Sequence, residues 1–167
     1  YYLEKYVGEM ADKYGAENGA TGIVMDVKTG GILGMVSYPT YDLNNAFTVQ
    51  NDQFKKDLTD TSAQLMKQWR NKALNDTYEP GSTFKILTMS AAMEEGLINM
   101  NTTYTCTGGI HVSDATIHCT GTHGTQTLKE AAAHSCNPAF ITFGLQLGNE
   151  KFYEYMNDFG LMSGTGI

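Results

Sequence analysis

Apolar and aromatic residues at Tyr2, Leu3, Tyr6, Val7, Met10 and Tyr14 recur at helical spacing, with Glu4, Lys5, Glu9, Asp12 and Lys13 between them. The pattern predicts an amphipathic opening helix. Gly19 to Gly22 break it. Ile23-Val24-Met25 and Ile32 to Val36 then flank a turn-rich segment from Asp26 to Gly31, which predicts two antiparallel strands joined by a turn. Pro39 ends the second strand. The stretch from Asp42 to Asp60 is polar and rich in Asn and Asp, so a long excursion with some helix is expected there. Leu65, Met66 and Trp69 mark one short helical face.

A stronger helix is expected from Ser82 to Glu95, with Phe84, Leu87 and Ala91 on one stripe, Pro80-Gly81 before it and Gly96 as its stop. Thr127-Leu128-Lys129-Glu130 has the form of a capping box, in which threonine oxygen and glutamate carboxylate satisfy each other's orphan amides, and this helix is expected to end near Ser135. Asn137 followed by Pro138 reads as an N-cap and first-turn proline, opening a helix through Phe140, Ile141, Phe143, Leu145 and Leu147. Phe152, Tyr155, Met156 and Phe159 mark a last short helix stopped by Gly160. No internal repeat or low-complexity tract is present. The class expected is α+β, a small antiparallel sheet portion plus a helical part.

At 167 residues the chain has the length of one ordinary domain, enough to bury roughly 70% of its unfolded surface. Eleven Lys and Arg stand against eighteen Asp and Glu. No basic cluster tracks a phosphate backbone, so no nucleic-acid partner is expected. No apolar run is long enough to span a bilayer and no signal-like leader opens the sequence. The first residue is Tyr1 and not methionine, so the natural chain is expected to be longer at its start, where an anchor or signal would stand. Three cysteines, Cys106, Cys119 and Cys136, are too few for a disulfide framework. Three readings stay open for them. Cys106 and Cys119 pair across a hairpin, which would imply an oxidising compartment; the thiols are free; or a metal sits among Cys106, His111, His118, Cys119 and His123. The last lacks the usual short ligand spacings of structural zinc sites.

The chemistry concentrates around Ser82. Lys85 follows three positions later, so the two side chains share a helix face within reach of each other. A serine hydroxyl is a weak nucleophile at neutral pH, and an amine in a desolvated pocket sheds its charge readily enough to accept the hydroxyl proton. A helix N-terminus adds backbone amides where an acyl oxygen becomes negative. Ser-x-x-Lys alone is weak, since a capping serine beside a solvated lysine has the same form. Its context is Tyr78-Glu79-Pro80-Gly81-Ser82-Thr83-Phe84-Lys85, followed downstream by Ser135-Cys136-Asn137-Pro138. The pair resembles the first two active-site motifs of penicillin-binding proteins, with cysteine in the second place of the Ser-Asp-Asn motif. The likeness runs over almost the whole chain, and is greatest to class B, monofunctional transpeptidases of Gram-positive type.

That resemblance implies a penicillin-binding/serine β-lactamase-like transpeptidase fold, and a peptidoglycan D,D-transpeptidase activity outside the cytoplasmic membrane. Ser82 would attack the penultimate D-alanine carbonyl of a stem peptide, Lys85 would be its general base, Ser135 would relay a proton to the leaving amine, and Asn137 would bind the substrate amide. β-Lactams would acylate Ser82 likewise. The resemblance implies no metal or cofactor. Serine β-lactamase and β-lactam sensor are the alternatives: the first needs a deacylation base that is not identifiable, and the second a signalling segment. The third family motif, Lys-Thr-Gly, follows the other two in chain order. The one Lys-Thr-Gly present, Lys28-Thr29-Gly30, precedes Ser82 and is expected to be a turn. Residues 1–167 are therefore expected to be a partial transpeptidase domain without the C-terminal strands, doubtful in activity by itself. Unpaired strand edges would favour self-association.

Overall fold

The computed structural model describes all residues from Tyr1 to Ile167. They form two compact units, Tyr1–Tyr78 and Glu79–Ile167. Helices and three two-stranded antiparallel sheets make the chain α+β, as expected. No helix is long and apolar enough to cross a membrane.

In the first unit, α1 (Tyr2–Tyr14) ends where Gly15 turns left-handed. It lies on a hairpin of β1 (Ala20–Met25) and β2 (Ile32–Tyr38), paired from Ala20↔Tyr38 to Met25↔Ile32 with a bulge at Val24/Met25. Close approach depends on Gly22, where a Cβ would stand 2.9 Å from a Val7 methyl and 3.0 Å from a Leu3 methyl. Tyr38 Oη donates to Asp12 Oδ1 at 2.8 Å and fixes β2 to the helix. The hairpin turn uses Lys28-Thr29-Gly30 as anticipated: Asp26 Oδ1 accepts from the Lys28 amide at 2.8 Å, Thr29 Oγ1 accepts from the Gly31 amide, and Gly30 has φ 72°. The excursion holds a 3-10 turn (Leu43–Asn45) and α2 (Asp52–Lys55) before α3 (Thr61–Trp69) and α4 (Lys72–Asn75). Gln68, 2% exposed, ties it down by donating to the Ala46 and Thr48 carbonyls and accepting from the Gln50 amide. A buried amide with its partners satisfied orders a loop that has little apolar surface to bury.

In the second unit a 3-10 turn (Gly81–Phe84) leads into α5 (Lys85–Glu94), and Gly96 (φ 69°) stops the helix where the sequence places the stop. Four short strands follow: β3 (Thr103–Cys106), β4 (Gly109–Val112), β5 (Ala115–His118) and β6 (Gly124–Thr127). β4 and β5 are the hairpin expected between Cys106 and Cys119, while the β3–β6 pairing around it has no clear sequence signal. The capping box forms as predicted and opens α6 (Leu128–Ala133), which stops two residues before Ser135. α7 (Asn137–Asp158) is broken at Gly148, φ 76° and ψ 167°. Leu87, Thr88, Ala91 and Ala92 are buried on α5. Ala92, Ile98, Cys106, Leu128, Ala131, Cys136, Ala139, Phe140 and Phe143 form one core. Alanines on α5, α6 and α7 let the backbones approach closely, and this brings the helix ends that carry polar residues to one place.

Candidate active site

Ser82 lies in the 3-10 turn, not in the first turn of an α-helix, and α5 begins only at Lys85. Gly81 has φ 58° and Thr83 Oγ1 donates to the Pro80 carbonyl at 2.6 Å, which favours a tight entry. Residues i and i+3 eclipse in a 3-10 turn, so Ser82 and Lys85 keep the shared face that their spacing predicts. The hydrogen bond of Ser82 Oγ is nevertheless with Ser135 Oγ, at 2.8 Å. Lys85 Nζ donates to Ser135 Oγ at 2.9 Å, to the Ser135 carbonyl at 2.6 Å and to Asn137 Oδ1 at 2.7 Å. An ammonium has three protons to donate, and all three have acceptors. Burial holds Lys85 below the usual lysine range, against the opposing pull of Cys119 and Cys136. The ring of Phe140 lies 5.5 Å from the amine.

Ser135 is placed by the end of α6. Its amide donates to the Ala132 carbonyl and the Cys136 amide to the Ala131 carbonyl, the two bonds of a Schellman motif. The position normally taken by glycine is a serine with φ 52°. This left-handed residue turns its carbonyl and its hydroxyl toward the same amine. A non-glycine residue held there costs about 1 kcal/mol or more. Ser135→Gly is therefore expected to be more stable than Ser135→Ala by about 1 kcal/mol, as measured by urea unfolding, since both lose the hydroxyl and only glycine relieves the backbone. Equal stabilities would mean that the position is not strained.

Asn137 corrects a sequence expectation. It is the first residue of α7 and does not cap it; Cys136 occupies the N-cap position without a side-chain bond. Instead Asn137 Nδ2 donates to the His118 carbonyl at the end of β5, at 3.1 Å, while Oδ1 accepts from Lys85. The amide thus joins α5, α7 and the β4–β5 hairpin. The His118 carbonyl is a backbone contribution that no side-chain pattern could reveal. The four predicted residues meet beside an open cleft of about 640 Å³, whose lining includes Ser82, Lys85, Asn137, Ile117, Phe140 and Phe152.

All three cysteines are free, so the Cys106–Cys119 disulfide considered from sequence is not formed. Of the histidines weighed as metal ligands, His111 turns to Thr116 Oγ1 at 3.2 Å, while His123 stands with Cys106, Cys119 and Cys136. Burial pushes the Cys136 thiol up to about 11. Burial acts on Cys119 in the same sense, but hydrogen bonding from the Gly121, Asn137 and Thr120 backbone and from Cys136 leaves it below the usual thiol value.

A nucleophile-bearing turn, a desolvated amine with full coordination and a hydroxyl between them can carry out proton-coupled acyl transfer. Comparison with known proteins places the chain in a family. The family model described as "Penicillin binding protein transpeptidase domain" matches residues 20–167. Stage V sporulation protein D of Bacillus subtilis is 36% identical over 168 residues, covering 99% of this chain and 24% of that protein. Peptidoglycan D,D-transpeptidase PbpA of Mycolicibacterium smegmatis is 35% identical over 150 residues, covering 83% of this chain and 30% of that protein. Penicillin-binding protein A of M. tuberculosis, solved as a ceftriaxone acyl-enzyme complex, superposes with a TM-score of 0.68 at 29% identity, covering 85% of this chain and 33% of that one. The chain spans about a quarter to a third of the length of these relatives.

Proposed function

The chain belongs to the family of penicillin-binding protein transpeptidase domains, and from that premise we propose that it supplies the nucleophile half of a peptidoglycan D,D-transpeptidase site. The observation that carries this reading is the chain Lys85 Nζ, Ser135 Oγ, Ser82 Oγ, with links of 2.9 and 2.8 Å. With Lys85 as a free amine, its lone pair accepts a proton from Ser135 while Ser135 accepts one from Ser82. Ser82 Oγ then forms a bond to the carbonyl carbon of the penultimate D-alanine of a stem peptide. As the tetrahedral intermediate collapses, the peptide C–N bond breaks and the terminal D-alanine nitrogen takes a proton back through Ser135, leaving an ester on Ser82. An amine of a second stem peptide attacks that ester and restores the serine. Asn137, at the cleft wall, is the residue to bind the substrate amide. β-Lactams enter by the same attack, opening the strained ring. Stem peptides lie outside the cytoplasmic membrane, which is where this reading places the chain.

The same reading makes residues 1–167 one part of the transpeptidase domain, with the Lys-Thr-Gly strand C-terminal to them. Their partial coverage of the relatives supports this, as does the β1–β2 sheet of only two strands. The test is intact-mass spectrometry of the complete domain with benzylpenicillin. A penicilloyl adduct that disappears in Ser82→Ala is expected, and residues 1–167 alone should acylate more slowly, having only one side of the clamp. A complete domain that forms no adduct, or forms it equally in Ser82→Ala, overturns the reading.

A further inference from the structure

Next to the serine–lysine site the second unit gathers a group of buried and half-buried side chains to which the acyl-transfer chemistry assigns no role. Cys106 ends β3, Cys119 follows β5, His123 precedes β6, and Cys136 lies between α6 and α7. Their three sulfurs and one imidazole nitrogen all fall within 4.8 Å of one another. Cys119 Sγ is 3.9 Å from Cys136 Sγ and 3.7 Å from His123 Nδ1. A tetrahedral ion with sulfur ligands at about 2.3 Å requires sulfur–sulfur edges of about 3.8 Å.

We infer that Cys106, Cys119, His123 and Cys136 form a closed Cys3His site for a zinc-class divalent cation. Two buried thiols and a half-buried one by themselves pack as small apolar groups, but two neighbours do not fit that account. The first is His123, a half-buried imidazole whose Nδ1 stands 3.7 Å from the Cys119 sulfur. The second is Gln126, 3% exposed, whose amide nitrogen is buried with no hydrogen-bond partner. A metal thiolate supplies the acceptor that this donor lacks, and such outer contacts are the usual support of a metal ligand. Gln126 Oε1 in turn meets His134 Nδ1 at 3.0 Å, and the His134 ring stacks on His123 at 4.7 Å between centroids. His123 is thereby held from its far side by a residue linked to the same glutamine.

The donor set selects the ion. Thiolate and imidazole favour zinc over magnesium or calcium, and four protein ligands without an open position make the site structural. On binding, the three thiols lose their protons to solvent, His123 coordinates as a neutral ring, and the site carries one net negative charge. The ion would tie three segments together: the end of β3, the β5–β6 loop that carries both Cys119 and His123, and the α6–α7 junction. In the last of these Cys136 has Ser135 and Asn137 as its chain neighbours, so the metal would fix the hydroxyl and the amide that Lys85 meets. This last consequence rests on the catalytic reading above; the metal site itself does not.

The test begins with reduced, metal-free complete domain titrated with zinc and, separately, with cobalt(II). One zinc per chain is expected, with protection of all three thiols from alkylation and a melting temperature that rises with zinc concentration. Cobalt should give thiolate charge-transfer absorption and the intense visible bands of a tetrahedral ion. Cys106→Ser and His123→Ala should lose that signature, Gln126→Leu should weaken zinc affinity by about 10- to 100-fold, and His111→Ala should change nothing. Wild-type protein that takes up no zinc after full reduction overturns the proposal, including the case where it is isolated with a Cys119–Cys136 disulfide. So does a cobalt spectrum that is octahedral, or that survives in both ligand variants. Zinc removal should slow penicilloylation of Ser82. A protein that binds zinc and is never acylated fails the catalytic reading alone, whereas one that is acylated and binds no zinc fails the metal site alone.

Discussion

Lys85→Met is expected to slow acylation of Ser82 by benzylpenicillin by about 10³-fold, or about 4 kcal/mol of transition-state stabilisation, while leaving the domain folded. Methionine matches the length of the lysine stem and removes only the amine. The loss follows from position: the amine sits 2.9 Å from Ser135 Oγ, which sits 2.8 Å from Ser82 Oγ, so no other base is offered to the nucleophile through this path. Stability should fall less, by about 1–3 kcal/mol. The amine already bears a desolvation cost, and water from the cleft can reach the three oxygens it leaves. The time course of the mass adduct checks the first figure and urea unfolding the second. A rate within tenfold of wild type would remove Lys85 from the role of base.

Phe143→Ala carries the largest expected effect on stability, about 3–5 kcal/mol. Phe143 is 3% exposed and makes edge-on contacts with Phe140, 5.8 Å between centroids, and Tyr104, 6.4 Å. Truncation removes a ring from the middle of the core that joins α5, α6, α7 and β3. Against a total of about 5–15 kcal/mol for a domain, that is a large share, and a marginal domain would unfold. Phe143→Leu keeps most of the volume and should cost less than about 1.5 kcal/mol. Denaturant midpoints of the two variants provide the check, and an alanine cost below about 1 kcal/mol would show that the ring is not packed as described. The damage should also reach the chemistry, because Phe140, the neighbour of Phe143, lies beside the Lys85 amine.

The residues that were readable in advance share a property: their partners lie within a few positions. Thr127 and Glu130 satisfy each other across three residues. Asp26 and Thr29 organise the turn that contains them, so the Lys-Thr-Gly there could be set aside from its surroundings alone. Where a local rule competed with a distant partner, the distant partner won. Asn137 before Pro138 has the form of a cap, yet its amide turns to Lys85 and His118, because two partners from other elements outweigh one orphan amide of its own helix. Ser82 was expected in an α-helix and stands in a 3-10 turn, since Gly81 takes a positive φ and the Thr83 hydroxyl engages the Pro80 carbonyl. Of the residues proposed to hold a metal, only Cys119 and His123 are near in sequence; Cys106 and Cys136 come from the end of β3 and the α6–α7 junction, so no short motif unites the four.

By itself the sequence determined the α+β class, the opening helix and hairpin, the two capped or stopped helices around the motifs, and the identity and order of Ser82, Lys85, Ser135 and Asn137. Each of these depends on periodicity, on turn chemistry or on a short motif, and these act over less than about ten residues. The tertiary structure alone decided that Ser135, and not Lys85, is the hydrogen-bond partner of Ser82, that Ser135 is held in a left-handed conformation, and that three thiols and an imidazole converge behind them. These depend on how α5, α6 and α7 pack through Ala92, Ala131, Ala139 and Phe140. Apolar burial chooses that packing, and the polar groups at the helix ends take the partners it brings within reach.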